Sequence, residues 1–486
     1  MNFRREIFLA LFKSGAGTVG KIAFNAVALK LIALTMGPYG VGLFAQIRHL
    51  WQTSVTIGSI NSGTAVIQGI SSKSDVEKIA YVSSIFWLVT IVNISVSLLV
   101  YFLSGDISKY FLNDNSFNNQ LVIERLSLAS FFGVYLIFFS SVLNGYHAIG
   151  YYSLITTISA FFLMALSWPI LIYTNNPAGN LILMITISEL LALLICISLL
   201  IKKKMLYISW HINSLNFDFI KDFFKTSSAL LVTGLFSMIV LLWIRTLIIE
   251  TYGLYGAGIF DAAWLLCMTY VLIITKSFGA YFLPKLSCTA DSNQRNLLIN
   301  EGVRVVILIT TPLIVALISF KPIIIALLYT NEFNESLQIM QWMLIADFFK
   351  IISWLLAFTM IAFKDIRAFF WSEVVFSSLL LFGMYLSIVR VGGYESIGIT
   401  FLTVSFSYMV YTIAYNQIKN KIRLDNIMFL MMGMAVAIIV FSSFNTWGED
   451  VINYKISIFN VVIGIVFSWI FLNKKERNKA IQLLGL

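Results

Sequence analysis

The chain has 486 residues, of which 59% are hydrophobic and only 12% charged, and its mean hydropathy is +0.88. Ordinary globular domains carry about 25% charged residues, so this composition excludes a soluble fold and places most of the chain in lipid. A net charge of +10 would point to nucleic acid in a soluble protein; here its distribution marks membrane topology, and no nucleic-acid partner is expected.

Apolar runs of roughly 20 residues, the length of one helical crossing, recur from end to end. About fourteen can be counted: 14–35, 41–70, 79–103, 121–145, 150–173, 180–201, 227–249, 257–283, 303–329, 337–363, 369–389, 395–418, 427–444 and 454–472. Strands of a membrane barrel would alternate polar and apolar residues, and backbone groups in lipid must be satisfied within the segment, so an all-α integral membrane protein is predicted. The opening "MNFRREIFLALFKSGAG" starts like a signal peptide. Lys13 cuts its apolar stretch short and no small-residue cleavage site follows, so it reads as mature sequence.

In the first predicted helix Lys21 shares a face with Ser14, Gly17 and Asn25, whereas Lys30, nine residues on, points about 180° away. The hairpin that follows holds Gly37, Gly40 and Gly42, with Pro38 fixing φ between them, and suits a tight turn on the outside. Helix 2 carries His49, Gln52, Thr56, Ser59 and Gly63 at three- and four-residue spacing, with Arg48 bordering that stripe. A charge at the bilayer centre costs roughly 2.5–3.5 kcal/mol on insertion scales, so the stripe faces either a wet cavity or a neighbouring helix.

The segment "GPYGVGLFAQIRHLWQTSVTIGSINSGTAVIQGIS" from Gly37, preceded by a helix with spaced lysines, resembles the opening of the Wzx-type polysaccharide translocases. These belong to the superfamily that includes the multidrug-extruding MATE proteins and the lipid II flippase MurJ. The resemblance implies export, across the bacterial inner membrane, of a sugar repeat unit carried on undecaprenyl pyrophosphate, such as an O-antigen or enterobacterial common antigen (lipid III) unit. It also implies cavity-facing cations on the first two helices, where Lys21 and Arg48 fit; the two helices counted beyond twelve resemble MurJ-like members more than the shortest Wzx proteins and leave the subfamily open.

Further along, Glu189 lies near the middle of the sixth helix with no basic neighbour in its own segment. It is a candidate to carry a proton, or simply a hydrogen-bonding acid between helices. The polar stretch 202–226 is too short for a folded domain and divides the chain. At an offset of 216, "GPYGVGLF" at 37–44 falls on "GLYGAGIF" at 253–260, five of eight positions agree, and Gly63 meets Gly279. The expected organisation is therefore a six-helix bundle over 1–201, a cytoplasmic linker over 202–226, a second six-helix bundle over 227–418 related to the first by a parallel repeat, and two additional helices with a basic tail over 419–486.

In the second half, Arg245 mirrors Lys30 within one residue at that offset, and Asp261 is a candidate counter-ion to it. Lys321 is another cation within a span, while Asp347 and Lys350, spaced i, i+3, either neutralise one another or serve transport. Lys13, Lys30 and Lys276 lie near helix ends and can snorkel to an interface. Cys196, Cys267 and Cys288 lack metal or disulfide spacing, so no metal and no cofactor is expected. With the amino terminus in the cytoplasm, 21 Lys and Arg fall in inside segments against three outside, Lys109, Arg390 and Lys455; the positive-inside rule thus predicts both termini in the cytoplasm.

Pyrophosphate is the anion that such cargo offers to buried cations. The expected contacts are Lys21, Arg48, Arg245, Lys321 and Lys350, with Asn25, His49, Gln52 and Thr56 as polar cavity lining and Glu189, Asp261 and Asp347 as candidates for proton coupling. Partners implied are the lipid-linked oligosaccharide, membrane lipids, and the polymerase and chain-length regulator of the same pathway. A cation-coupled drug exporter calls for an acidic or aromatic cavity, whereas the charge within these spans is mostly basic. A lipid II flippase stays open. A polymerase or glycosyltransferase calls for a large outside loop or a paired acidic motif, and loop 104–120 has only the scattered Asp106 and Asp114.

Overall fold

The computed structural model describes residues 2–112, 117–173, 177–205, 216–289, 291–448, 453–473 and 477–478. Residues 206–215 of the 202–226 connection, Asp114 and nearly all of the basic tail lie outside the described residues. In chain order the helices are α1 (Asn2–Gly58), α2 (Ser62–Ser72), α3 (Asp75–Phe102), α4 (Ser104–Leu112), α5 (Phe117–Gly145), α6 (Ile149–Tyr173), α7 (Pro177–Lys202) and α8 (Phe217–Cys288), then α9 (Ser292–Ser319), α10 (Lys321–Leu328), α11 (Ser336–Ala362), α12 (Ile366–Leu386), α13 (Tyr394–Ile418), α14 (Asn426–Asn445) and α15 (Tyr454–Phe471). No strand occurs among the described residues. The fold is the expected all-α membrane architecture.

Among the described residues twelve helical stretches are long and apolar enough to cross a membrane. The sequence count of about fourteen differs because runs 14–35 and 41–70 join within Gly17–Ser72, of 56 residues, and runs 227–249 and 257–283 join within Gly234–Cys288, of 55 residues. At 1.5 Å per residue each of these two stretches has length for two passes. Both are broken at a repeat glycine: Gly37 has φ 59° and ψ −157°, and Gly253 has φ 70° and ψ −177°. A left-handed backbone is open to glycine at no steric cost, which is why the same residue recurs at the same point of each repeat copy.

A second break was not expected. The run 41–70 is interrupted between α1 and α2, where Ile60 (φ 52°) and Asn61 (φ 49°) are both left-handed. Asn61 N donates to Thr56 O at 3.1 Å and Ser62 N to Ser59 O at 2.9 Å, so local bonds replace part of the helical ladder. Helix starts elsewhere carry polar caps. Ser74 and Glu77 form a capping box on α3, Asp291 accepts from Asn293 N and Gln294 N, and Asp365 accepts from Ala368 N.

Packing divides the chain into two units, Met1–Gly258 and Ile259–Leu486. In the first, α1 packs on α6, and α5 on α7, α3 and α2. A side chain at Gly17 would sit 1.9 Å from Ser153 Oγ, and Thr157 Oγ1 donates to Gly17 O at 3.0 Å, so α1 and α6 approach closely. Phe86, Tyr135, Phe138 and Phe139 form an aromatic centre between α3 and α5. The first part of α8 belongs to this unit, and Gln46 Nε2 reaches Thr246 Oγ1 at 3.3 Å. There the two glycine turns meet reciprocally. A Cβ on Gly42 would lie 2.1 Å from Leu254 O, and one on Gly258 would lie 1.9 Å from Pro38 O. Residues 42 and 258, like 38 and 254, are partners at the offset of 216.

In the second unit α11 is the central helix, buried along most of its length and packed on α13, α9 and α12, while α14 and α15 pack on α9. Large apolar side chains such as Trp371, Phe382 and Ile470 point outward, as a surface facing lipid requires.

Candidate functional site

In the first unit two basic residues of α1 act electrostatically on an acid from α7. Glu189 is 7% exposed and accepts a hydrogen bond from Ser159 Oγ of α6 at 2.8 Å, and the charges of Lys21 and Arg48 both act on it. The sequence shows no basic neighbour for Glu189 within its own helix; the fold supplies two from α1. His49 is half-buried and within the fields of Arg245 and Arg48. Arg245 is itself only 5% exposed. Three of the five expected cations, Lys21, Arg48 and Arg245, therefore lie in one unit with His49 and Glu189. Counted at full charge they exceed the acid, so the cluster suits an anion.

The expected polar lining is half-buried, but its hydroxyl and one of its amides are used locally. Thr56 Oγ1 donates to Gln52 O at 2.8 Å, and Asn25 Nδ2 donates to Lys21 O at 2.8 Å. Such i→i−4 bonds satisfy polar groups inside a helix and bend it slightly.

In the second unit Asp347 and Lys350 lie one turn apart on α11, both buried, and do not bond directly. Asp347 Oδ2 accepts from Tyr270 OH at 2.6 Å. The Lys350 ammonium approaches Met268 Sδ at 3.2 Å and sits over three rings, Phe401 at 4.6 Å, Trp354 at 5.0 Å and Trp264 at 5.6 Å. Rings offer a desolvated ammonium partial compensation. Trp354, four residues beyond Lys350, was readable from helical spacing. Trp264, Phe401, Tyr270 and Ser159 come from other helices and left no signal in the sequence.

Lys321 opens α10, is 1% exposed, and donates to Gln341 Oε1 and Thr446 O, both at 3.0 Å; Gln341 Nε2 in turn reaches Ser443 Oγ at 2.9 Å. It ties α10, α11 and the end of α14 together. Asp261 is buried early in the second unit's part of α8. Among the described residues no group of three or more His, Cys, Asp and Glu side chains could hold a metal ion.

A family model described as polysaccharide biosynthesis protein matches residues 36–338, more than half of the chain. The lipid III flippase of Escherichia coli is 20% identical over 384 residues, covering 77% of this chain and 89% of that protein. Among solved structures, the inward closed conformation of the lipid II flippase MurJ superposes with a TM-score of 0.72 at 16% identity, covering 97% of this chain and 99% of the other. An inward-facing multidrug resistance MATE transporter of the MOP superfamily gives 0.68 at 10% identity, covering 86% and 95%. The segment from Gly37 that carried the resemblance lies within the matched residues, and the chain belongs to the polysaccharide biosynthesis protein family, with the fold of the MOP superfamily transporters.

Proposed function

We propose that this multi-pass protein of the bacterial inner membrane is a flippase. It carries an undecaprenyl-pyrophosphate-linked oligosaccharide repeat unit, an O-antigen or related unit, from the cytoplasmic to the periplasmic leaflet by alternating access, with both termini in the cytoplasm. The moving parts are the bundles 1–201 and 227–418 on either side of the 202–226 linker. The observation that carries this reading is the convergence of Lys21 and Arg48 on buried Glu189, with Arg245 acting on the adjoining His49. In the empty carrier Glu189 offsets part of the cationic charge. An arriving pyrophosphate, with its several negative charges, competes for the same cations, and the displaced carboxyl is then free to take a proton. A cationic drug would meet the wrong sign of charge at this cluster, which disfavours an exporter of such compounds.

The test is Arg48→Ala. It is expected to leave membrane abundance near wild type while surface glycan falls at least tenfold and lipid-linked units accumulate in the inner leaflet. Arg48→Lys is expected to restore only part, because the charge survives and the two-pronged guanidinium does not. Normal abundance with normal export would remove Arg48 from the site and this reading with it.

A further inference from the structure

One cavity lies away from these cations. A cleft of about 280 Å³ opens at the end of the second unit, where α10, the start of α11, the start of α13 and the end of α14 meet. Charge asymmetry assigns that end to the outside. Its floor is the buried pair Lys321 and Gln341, and its rim carries Asn334, Glu335, Gln338, Glu395 and Trp447. The floor is fixed by the bonds of Lys321 to Gln341 and Thr446. The indole of Trp447 is also held in place, edge-on to Trp342 at 5.2 Å and stacked on Phe444 at 5.4 Å, yet it stays 37% exposed. The side chains of Glu335, Glu395, Asn334 and Gln338 have no hydrogen-bond partner among the described residues.

The chemistry of this lining narrows the ligand. Two carboxylates repel an anion, and a resident ammonium repels a metal ion or a strongly cationic peptide. An acyl chain would bury two carboxylates and two amides at the rim without partners. What remains is a neutral molecule with many hydroxyls and one apolar face. Vicinal hydroxyls donate to carboxylates, amides both donate and accept, and a fixed indole packs against ring C–H groups. The volume is just below the usual range for small-molecule pockets, roughly 300–1,000 Å³, and suits a small ring system. We propose that this cleft binds a neutral or N-acetylated sugar ring of the translocated glycan as it emerges; this rests on the flippase reading. It also gives the additional helix α14 a function, since Trp447 follows directly from its end.

Purified full-length protein in lipid nanodiscs is titrated with two probes. One is the phosphate-free oligosaccharide released by mild acid from the host's own lipid-linked repeat unit, and the other is undecaprenyl pyrophosphate without sugar. The wild type is expected to bind the oligosaccharide, with Trp447→Ala and Glu395→Gln each weakening it at least about tenfold. Trp447→Ala removes packing as well, so the isosteric, exposed Glu395→Gln carries the test if the tryptophan variant fails to fold. No oligosaccharide binding by the wild type, or equal binding by Glu395→Gln, overturns the sugar site. So does an equal loss of both probes in Glu395→Gln, which would make the cleft a structural joint. Failure of the flippase reading looks different: deleting the gene would then cause no build-up of lipid-linked units, and Arg48→Ala would leave the sugar-free probe's binding intact.

Discussion

Asp365 shows how a single boundary carboxylate is used. It caps α12 through Ala368 N, accepts from Tyr415 OH at 2.7 Å, and pairs with Lys419 beyond the end of α13. The Lys419 ammonium first, and then the Tyr415 hydroxyl, hold its carboxyl down to about 2 from the usual 3.8. A depressed carboxylate stabilises the fold fully above its unfolded value and loses that contribution as pH falls through the folded one. Between pH 5 and 8 the contribution is therefore constant. Asp365→Asn keeps the cap and loses the charge, and Lys419 is largely exposed, so the expected loss is under about 1 kcal/mol. Asp365→Ala removes the cap as well and costs about 1 kcal/mol more. Thermal unfolding in detergent at pH 5 and pH 8 checks both, and a penalty that vanished at pH 5 would disprove the assignment. At this scale the sequence was legible in part. The charged residues within spans could be listed, and Lys21, Arg48 and Arg245 do fall in one unit. The engagement of Lys321 with Gln341 and Thr446, and the rings of Trp264 and Phe401 around Lys350, come from other helices, and no spacing rule reaches them.

Among the elements, the repeat glycines divide by mechanism. Gly253 needs its left-handed backbone but has open space where a Cβ would go. Gly258 and Gly42 need room, because carbonyl oxygens lie 1.9 and 2.1 Å from their absent side chains. Gly253→Ala is expected to cost roughly 1–2 kcal/mol in backbone strain. Gly258→Ala must push a backbone aside, which costs more, on the order of 1–3 kcal/mol or above. Comparing the two variants by membrane abundance and melting temperature checks the order; equal losses would show that conformation, not close approach, governs both sites. The glycine motif and its recurrence were readable at once, since so few residues tolerate φ above zero. The break at Ile60 and Asn61 was not, because a β-branched residue in that conformation contradicts its own propensity and is held there by its surroundings.

For the whole molecule, hydropathy gave the class of fold, since lipid leaves the backbone few other choices. The number of separate helices was less legible, because a helix broken at one glycine and a pair of helices look alike in hydropathy. Orientation rests on the asymmetry of Lys and Arg and can be read directly. Cysteines introduced at Asn334 and Gly448 are expected to react with a membrane-impermeant thiol reagent in intact cells, and cysteines at Ser74 and Asn420 only after permeabilisation. Labelling at Ser74 in intact cells would invert the topology, and with it the side on which the cleft beside Lys321 opens.

The reciprocal meeting of the two glycine turns also bears on ancestry. Gly42 lies against the carbonyl of Leu254 and Gly258 against that of Pro38, and the offset that equates 42 with 258 also equates 38 with 254. In an ancestor with a single copy, the same contact would have been isologous, one turn set against its twin across a two-fold axis in a homodimer. Fusion of two such copies would bring both sides of that contact into one polypeptide. The two glycines would then be constrained as a pair, since enlarging either one strains the turn of the other segment.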